Sequence, residues 1–139
     1  MRLGDLLINN NVISEQQLIR ALEHQLVHQS KLGYSLILLG FLTEQMLMRF
    51  LSFQLNMPYI EEIHEDKIIQ CSDYNKLTSK VARHHCCIPI YHNDEMVVIV
   101  MSDPINSHTQ EVLASCILLP YSIAIGCEGV IRKGLDSYL

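Results

Sequence analysis

Residues 2–25, RLGDLLINNNVISEQQLIRALEHQ, align without a gap on residues 31–54, KLGYSLILLGFLTEQMLMRFLSFQ. Ten of the 24 positions are identical: Leu3/Leu32, Gly4/Gly33, Leu7/Leu36, Ile8/Ile37, Glu15/Glu44, Gln16/Gln45, Leu18/Leu47, Arg20/Arg49, Leu22/Leu51 and Gln25/Gln54. Unrelated stretches would share about one or two, so this is an internal repeat. Helix propensity explains matching leucines, but not a glycine pair and a glutamine pair in one register. The repeat dictates the first half of the fold. In the first copy Leu3, Leu6 and Leu7 share a face of a short helix that Asn9 to Asn11 end, since Asn tolerates the left-handed conformation. Ser14 then caps a longer helix, with Gln17 at the capping-box position and an apolar stripe of Leu18, Leu22 and Leu26. The second copy ends its short helix at Gly40, caps with Thr43 and runs through Leu47, Leu51 and Gln54 to Leu55. Neither hairpin buries its stripe alone, so the two are expected to pack on each other.

Most of the repeated leucines read as core. Gly4 and Gly33 need another reason, because glycine in a helix costs about 0.5–1 kcal/mol relative to alanine. It is sensible where something approaches the backbone closely, or where amides face an anion. Arg2 and Lys31 stand at those same helix starts, where a cation is unfavourable unless a negative group lies between. Basic–Leu–Gly, written twice with a co-registered Gln, therefore points to a phosphate or other acceptor-rich ligand. Two related hairpins about an approximate twofold axis would suit a ligand with twofold symmetry of its own.

At these residues the chain resembles the N-terminal domain of the type II secretion and type IV pilus assembly ATPases, in the subclass that binds cyclic di-GMP (MshE N-terminal-like domains). The family motif, Arg-Leu-Gly followed by Leu, Gly, Leu, Leu and Gln at helical spacing, occurs twice across a five-residue spacer, here LVHQS. Residues 59–139 resemble the following segment more loosely, through MPYI, CCIPI, VVIVMSDP and the closing helix. The resemblance implies a regulatory module in which two half-sites bind one cyclic di-GMP. The first is Arg2, Leu3, Gly4, Leu7, Leu18, Leu22 and Gln25; the second is Lys31, Leu32, Gly33, Leu36, Leu47, Leu51 and Gln54. Arg2 would fork onto guanine O6/N7 or phosphate, the glycines would admit the ligand, and leucines would cover the base faces. Gln25 and Gln54 would bond polar edges or brace the hairpins. Two departures stand out: Lys31 replaces the motif's Arg and cannot make its two-pronged contact, and Asn11 replaces the first turn glycine. Implied partners are a secretion or pilus ATPase motor, or an inner-membrane assembly protein, with the membrane reached only through them. Docking onto that assembly protein without nucleotide is the alternative reading.

The 139 residues are 49% hydrophobic and 18% charged, which argues against disorder. No apolar run reaches the ~20 residues of a membrane span, and Asp5, Asn9, Asn10 and Asn11 in the first helix pattern argue against a signal peptide. Residues 1–58 carry four basic side chains (Arg2, Arg20, Lys31, Arg49) against four acids (Asp5, Glu15, Glu23, Glu44), so the net charge of −5 lies in residues 59–139. That balance disfavours DNA and RNA as partners but leaves room for a small anion. Cys71, Cys86, Cys87, Cys116 and Cys127 show no paired spacing and sit among apolar residues, which predicts reduced, buried thiols in a cytoplasmic protein.

Pro58 closes the helical half, dividing the chain into a hairpin subdomain at 1–58, the expected nucleotide-binding part, and a small α/β subdomain at 59–139. In the latter, EEIHEDK reads as a solvated connection and SKVARHH as a helix. CCIPIYH and EMVVIVMS read as strands joined by ND, and DPINSHTQEVLASC as a turn and helix. YSIAIG is a third strand, and CEGVIRKGLDSYL a closing helix. The predicted class is α+β: a bundle of two tandem helical hairpins, then a small α/β unit with a roughly three-stranded sheet. HHCC at residues 84–87 suggests strand entry rather than a metal site, because consecutive side chains diverge and no Cys-x2-Cys pair supports them. Cys127 has no acid or base spaced to activate it. GxxxxGK[ST] is absent, so no enzyme is expected, and ATPase activity would belong to a separate or removed motor domain.

Overall fold

The computed structural model describes residues 2–93 and 96–139, and the chain divides into two compact units meeting between Asn56 and Met57. The first is entirely helical: α1 (Leu3–Asn9), α2 (Glu15–His28), α3 (Leu32–Leu38) and α4 (Glu44–Leu55). The repeat persists in the backbone. Arg2 and Lys31 hold the N-cap positions of α1 and α3 at φ −72°, ψ 151° and φ −77°, ψ 151°. Both short helices end alike: Val12 N donates to Leu7 O at 3.0 Å, and Phe41 N to Leu36 O at 2.9 Å. Asn11 (φ 58°) and Gly40 (φ 79°) supply the left-handed residue this closure needs. Ser14 Oγ accepts from Gln17 N at 3.1 Å while Ser14 N donates to Gln17 Oε1 at 2.9 Å, a complete capping box. Thr43 Oγ1 accepts from Met46 N at 3.2 Å.

Packing crosses between the copies, α1 on α4 and α2 on α3. Leu6, Leu7, Ile13, Ala21, Leu36, Leu42, Leu47 and Met48 are the buried apolar residues of this unit. The expected stripe of α2 is not among them. Leu22 is 43% and Leu26 81% exposed, and the one buried residue of α2 is Ala21. The reason is a contact with the next helix: His24 Nδ1 lies 2.9 Å from Ser35 Oγ of α3. That contact turns the Ala21–His24 side of α2 toward α3 and leaves the leucine side outward.

The second unit holds a 3-10 turn (Glu65–Lys67), α5 (Ser79–His85), β1 (Cys87–His92), β2 (Met96–Met101), α6 (Ser107–Cys116), β3 (Ser122–Ile125) and α7 (Glu128–Leu135). With the first unit this makes the α+β chain the pattern predicted. The sheet runs β1-β2-β3, antiparallel between β1 and β2 and parallel between β2 and β3; α6 supplies the crossover a parallel pair requires. Tyr59 bridges Ile125 beyond β3, and Ile68 bridges Ile90 beyond β1, so short segments cover both edges. Ile88, Val98, Ile99, Val100, Leu113, Ile131 and Leu135 form the sealed centre. Asn75, 1% exposed, is fully engaged: its Nδ2 donates to Ile69 O at 2.9 Å and Tyr138 Oη at 3.0 Å, and its Oδ1 accepts from Leu77 N at 3.1 Å.

Two expectations change in this unit, and a third lies partly outside the described residues. EEIHEDK is not wholly solvated, because Ile63 packs on the closing helix at Gly134, where an added Cβ would lie 3.2 Å from it. Cys86 and Cys87 are buried, but Cys71 is exposed and Cys116 and Cys127 half-buried, so the thiols, none of them in a disulfide, are not all interior. The ND turn keeps Asn93 at φ 53°, while Asp94 and Glu95 lie outside the described residues.

Candidate functional site

Arg2 and Lys31 are exposed, and Leu3 and Leu32, one residue into each short helix, are half-buried. Gly4 and Gly33 are buried, and the geometry explains why they are glycines. A Cβ on Gly33 would fall 2.7 and 2.8 Å from the Leu47 methyls; one on Gly4 would fall 3.0 and 3.1 Å from those of Leu18. Each long helix thus presses its first leucine onto the backbone of its own short helix. The space that a Cβ would take at the two glycines is filled by these leucines, so glycine serves the close approach of the helices.

Leu7 and Leu36, also expected on the binding surface, have no exposed area and are sealed in the core. Each lies on the buried side of its short helix with a second interior residue, Leu6 in α1 and Ser35 in α3. Leu47 is buried at 6% exposure, while Leu18 and Leu51 are half-buried. Gln25 and Gln54 are half-buried too. The members of the two sets that keep accessible surface are therefore the cations, Leu3 and Leu32, Leu18, Leu22 and Leu51, and the two glutamines.

Leu22 and Gln25 are brought together in an open groove of about 530 Å³ that Leu26, Gln29 and Ser30 complete. The last three belong to the stretch that reads in sequence as a spacer. A signal was present: Leu26 extends the apolar side of α2 past the repeat, and Gln29, at φ 52°, ends α2 in the left-handed conformation. Ser30 Oγ lies 2.7 Å from Ser35 Oγ, itself held by His24. Ser35 has no exposed area, so these two bonds satisfy a hydroxyl that would otherwise be buried at a cost of about 1–3 kcal/mol. His28 stacks on His24 with ring centroids 4.1 Å apart, and the Arg20 guanidinium lies 5.3 Å from the centre of the Phe41 ring.

The second unit offers less chemistry. His84, His85 and His108 cluster with ring centroids 4.9 and 5.5 Å apart, and His85 Nδ1 lies 2.8 Å from Thr109 Oγ1. Burial, then the neighbouring imidazoles, hold the His85 pKa below its ordinary value. Burial pushes the Cys87 thiol up to about 12, an inert thiol rather than a nucleophile. Among the described residues no group of three or more His, Cys, Asp or Glu is placed to hold a metal ion, and no helix is long and apolar enough to cross a membrane.

The sequence profile of the MshEN domain matches residues 55–139, the half in which the eye finds the looser resemblance. Over 139 residues the chain is 30% identical to the type IV pilus assembly ATPase PilB of Myxococcus xanthus (strain DK1622), covering 99% of this chain and 24% of that protein. The chain thus spans about a quarter of the relative's length. Among solved structures, MshE with cyclic di-GMP is 33% identical with a TM-score of 0.81, covering 100% of this chain and 99% of the other. The N-terminal domain of XpsE, 14% identical with a TM-score of 0.69 over 99% of this chain and 93% of its own, shares the fold.

Proposed function

The chain belongs to the MshEN domain family, and from that premise we propose that it is a receptor module for cyclic di-GMP. The observation that carries the proposal is its full-length likeness to MshE with that ligand. Residues 2–54 hold one ligand between two half-sites. Arg2 forks onto a phosphate or onto guanine O6/N7, whereas Lys31 meets phosphate as a point charge. Leu3, Leu22, Leu32 and Leu51 offer apolar surface to the bases, and Gln25 and Gln54 bond polar edges. Gly4, Gly33, Leu7, Leu18, Leu36 and Leu47 shape the surface from beneath, through packing.

The α/β half, residues 59–139, presents the docking face through which occupancy reaches a pilus or secretion ATPase motor or an inner-membrane assembly partner. The module works in the cytoplasm, and ATP hydrolysis belongs to the motor. The leucine-filled space over both glycines, together with Lys31, favours the second reading, a docking module that needs no nucleotide. Calorimetric titration of the chain with cyclic di-GMP separates the two. One ligand bound per chain is expected, with affinity at least about tenfold lower in Arg2→Ala, the loss of charge-assisted hydrogen bonds. No heat at high ligand concentration leaves the docking module.

A further inference from the structure

We propose that Ser30 is a ligand-binding residue that supplies, with Lys31, the second donor that an arginine would bring alone. The assignment rests on the cyclic di-GMP reading. Ser30 lines the groove with Leu22 and Gln25 on one side and bonds the buried Ser35 on the other, at 2.7 Å. Ser35 has a single proton to place between two partners, Ser30 Oγ and His24 Nδ1. When His24 carries its proton on Nδ1, that N–H donates to Ser35 and Ser35 donates to Ser30. The Ser30 hydroxyl proton is then free to donate into the groove. A phosphodiester oxygen that accepts from Ser30 and from the next residue in sequence, Lys31, selects that arrangement.

The comparison between copies supports the pairing. Twenty-nine residues before Ser30 the first copy has Met1, which has no hydroxyl, and there the next residue is Arg2 with its complete fork. The relay is likewise present once: Ser35 stands where the first copy has Leu6, and His24 where the second has Phe53. The serine pair therefore accompanies Lys31 and not Arg2, with the histidine of the relay supplied by the first copy. The lysine alone offers donors from a single atom and no planar fork; lysine with an oriented hydroxyl places donors on two adjacent residues.

Calorimetric titration with cyclic di-GMP of the wild type, Ser30→Ala, Ser30→Thr and Ser30→Ala/Lys31→Arg tests this, with thermal melts of each. Ser30→Ala is expected to weaken binding about tenfold, the loss of one hydrogen bond to a charged group. Ser30→Thr keeps the hydroxyl and binds as the wild type does, and Lys31→Arg restores affinity in the Ser30→Ala background. Wild-type affinity in Ser30→Ala overturns the assignment and leaves the receptor reading intact. Equal losses in Ser30→Ala and Ser30→Thr with lowered melting temperatures reduce Ser30 to a packing residue, which also overturns it. If the wild type does not bind, both fall together.

Discussion

Replacing Gly33 with alanine should destabilise the helical unit, although helix propensity alone predicts the reverse. Alanine gains about 0.5–1 kcal/mol over glycine within a helix. Against that, the new Cβ lies 2.7 and 2.8 Å from the Leu47 methyls and 3.3 Å from its Cγ, well inside van der Waals contact. Leu47 is 6% exposed, so it cannot swing into solvent and must press on the core. Overpacking of this kind costs about 1–3 kcal/mol, leaving a net loss of about 1 kcal/mol. Gly4→Ala is the matched control. Its Cβ comes no closer than 3.0 Å to Leu18, which is half-buried and free to yield outward, so gain and cost roughly cancel. Urea denaturation followed by far-UV circular dichroism reads the difference as a lower midpoint for Gly33→Ala at unchanged slope. In a Leu47→Ala background the clash is gone and Gly33→Ala should become neutral or stabilising, a coupling of about 1–3 kcal/mol. A Gly33→Ala protein as stable as the wild type would refute the packing explanation of the repeated glycine.

Three further outcomes follow from other contacts. Ser14→Ala should cost about 1 kcal/mol in urea unfolding, and more than Thr43→Ala, because Ser14 is one half of a reciprocal capping box. The folded His85 pKa lies below 6.5, chiefly from burial and then from His84 and His108, so the unfolded chain binds more protons in acid. Its contribution is whole above about pH 6.5 and is lost as pH falls toward the folded value; His85→Asn should flatten the decline of the urea midpoint between pH 7.5 and 5.5. Iodoacetamide at pH 8, read by mass spectrometry, should label exposed Cys71 first and Cys87, with its thiol near 12, last.

What was legible in the sequence was what local chemistry decides. Ser14 and Thr43 cap where predicted, the turns at Asn11 and Gly40 adopt the left-handed conformation, and SKVARHH is α5 residue for residue. Each depends on neighbours within four positions along the chain. The face of α2 that is buried depends instead on α3. Nothing near Leu22 in sequence reveals that Ser35 holds His24 and turns the leucines outward. The glycines are a related case: a missing side chain says that something comes close, and only the fold shows that Leu18 or Leu47 does. Ser30 was hidden because its groove is built by the return of α2 into α3, outside the repeated register.

In the receptor reading both copies engage one ligand. Backbone amide chemical shifts of the isotopically labelled chain, followed through a cyclic di-GMP titration, test it most directly. The expected result is that Leu3, Gly4 and Gln25 shift together with Leu32, Gly33 and Gln54, all complete at one ligand per chain. Shifts confined to one copy, or to residues after 56, would contradict it.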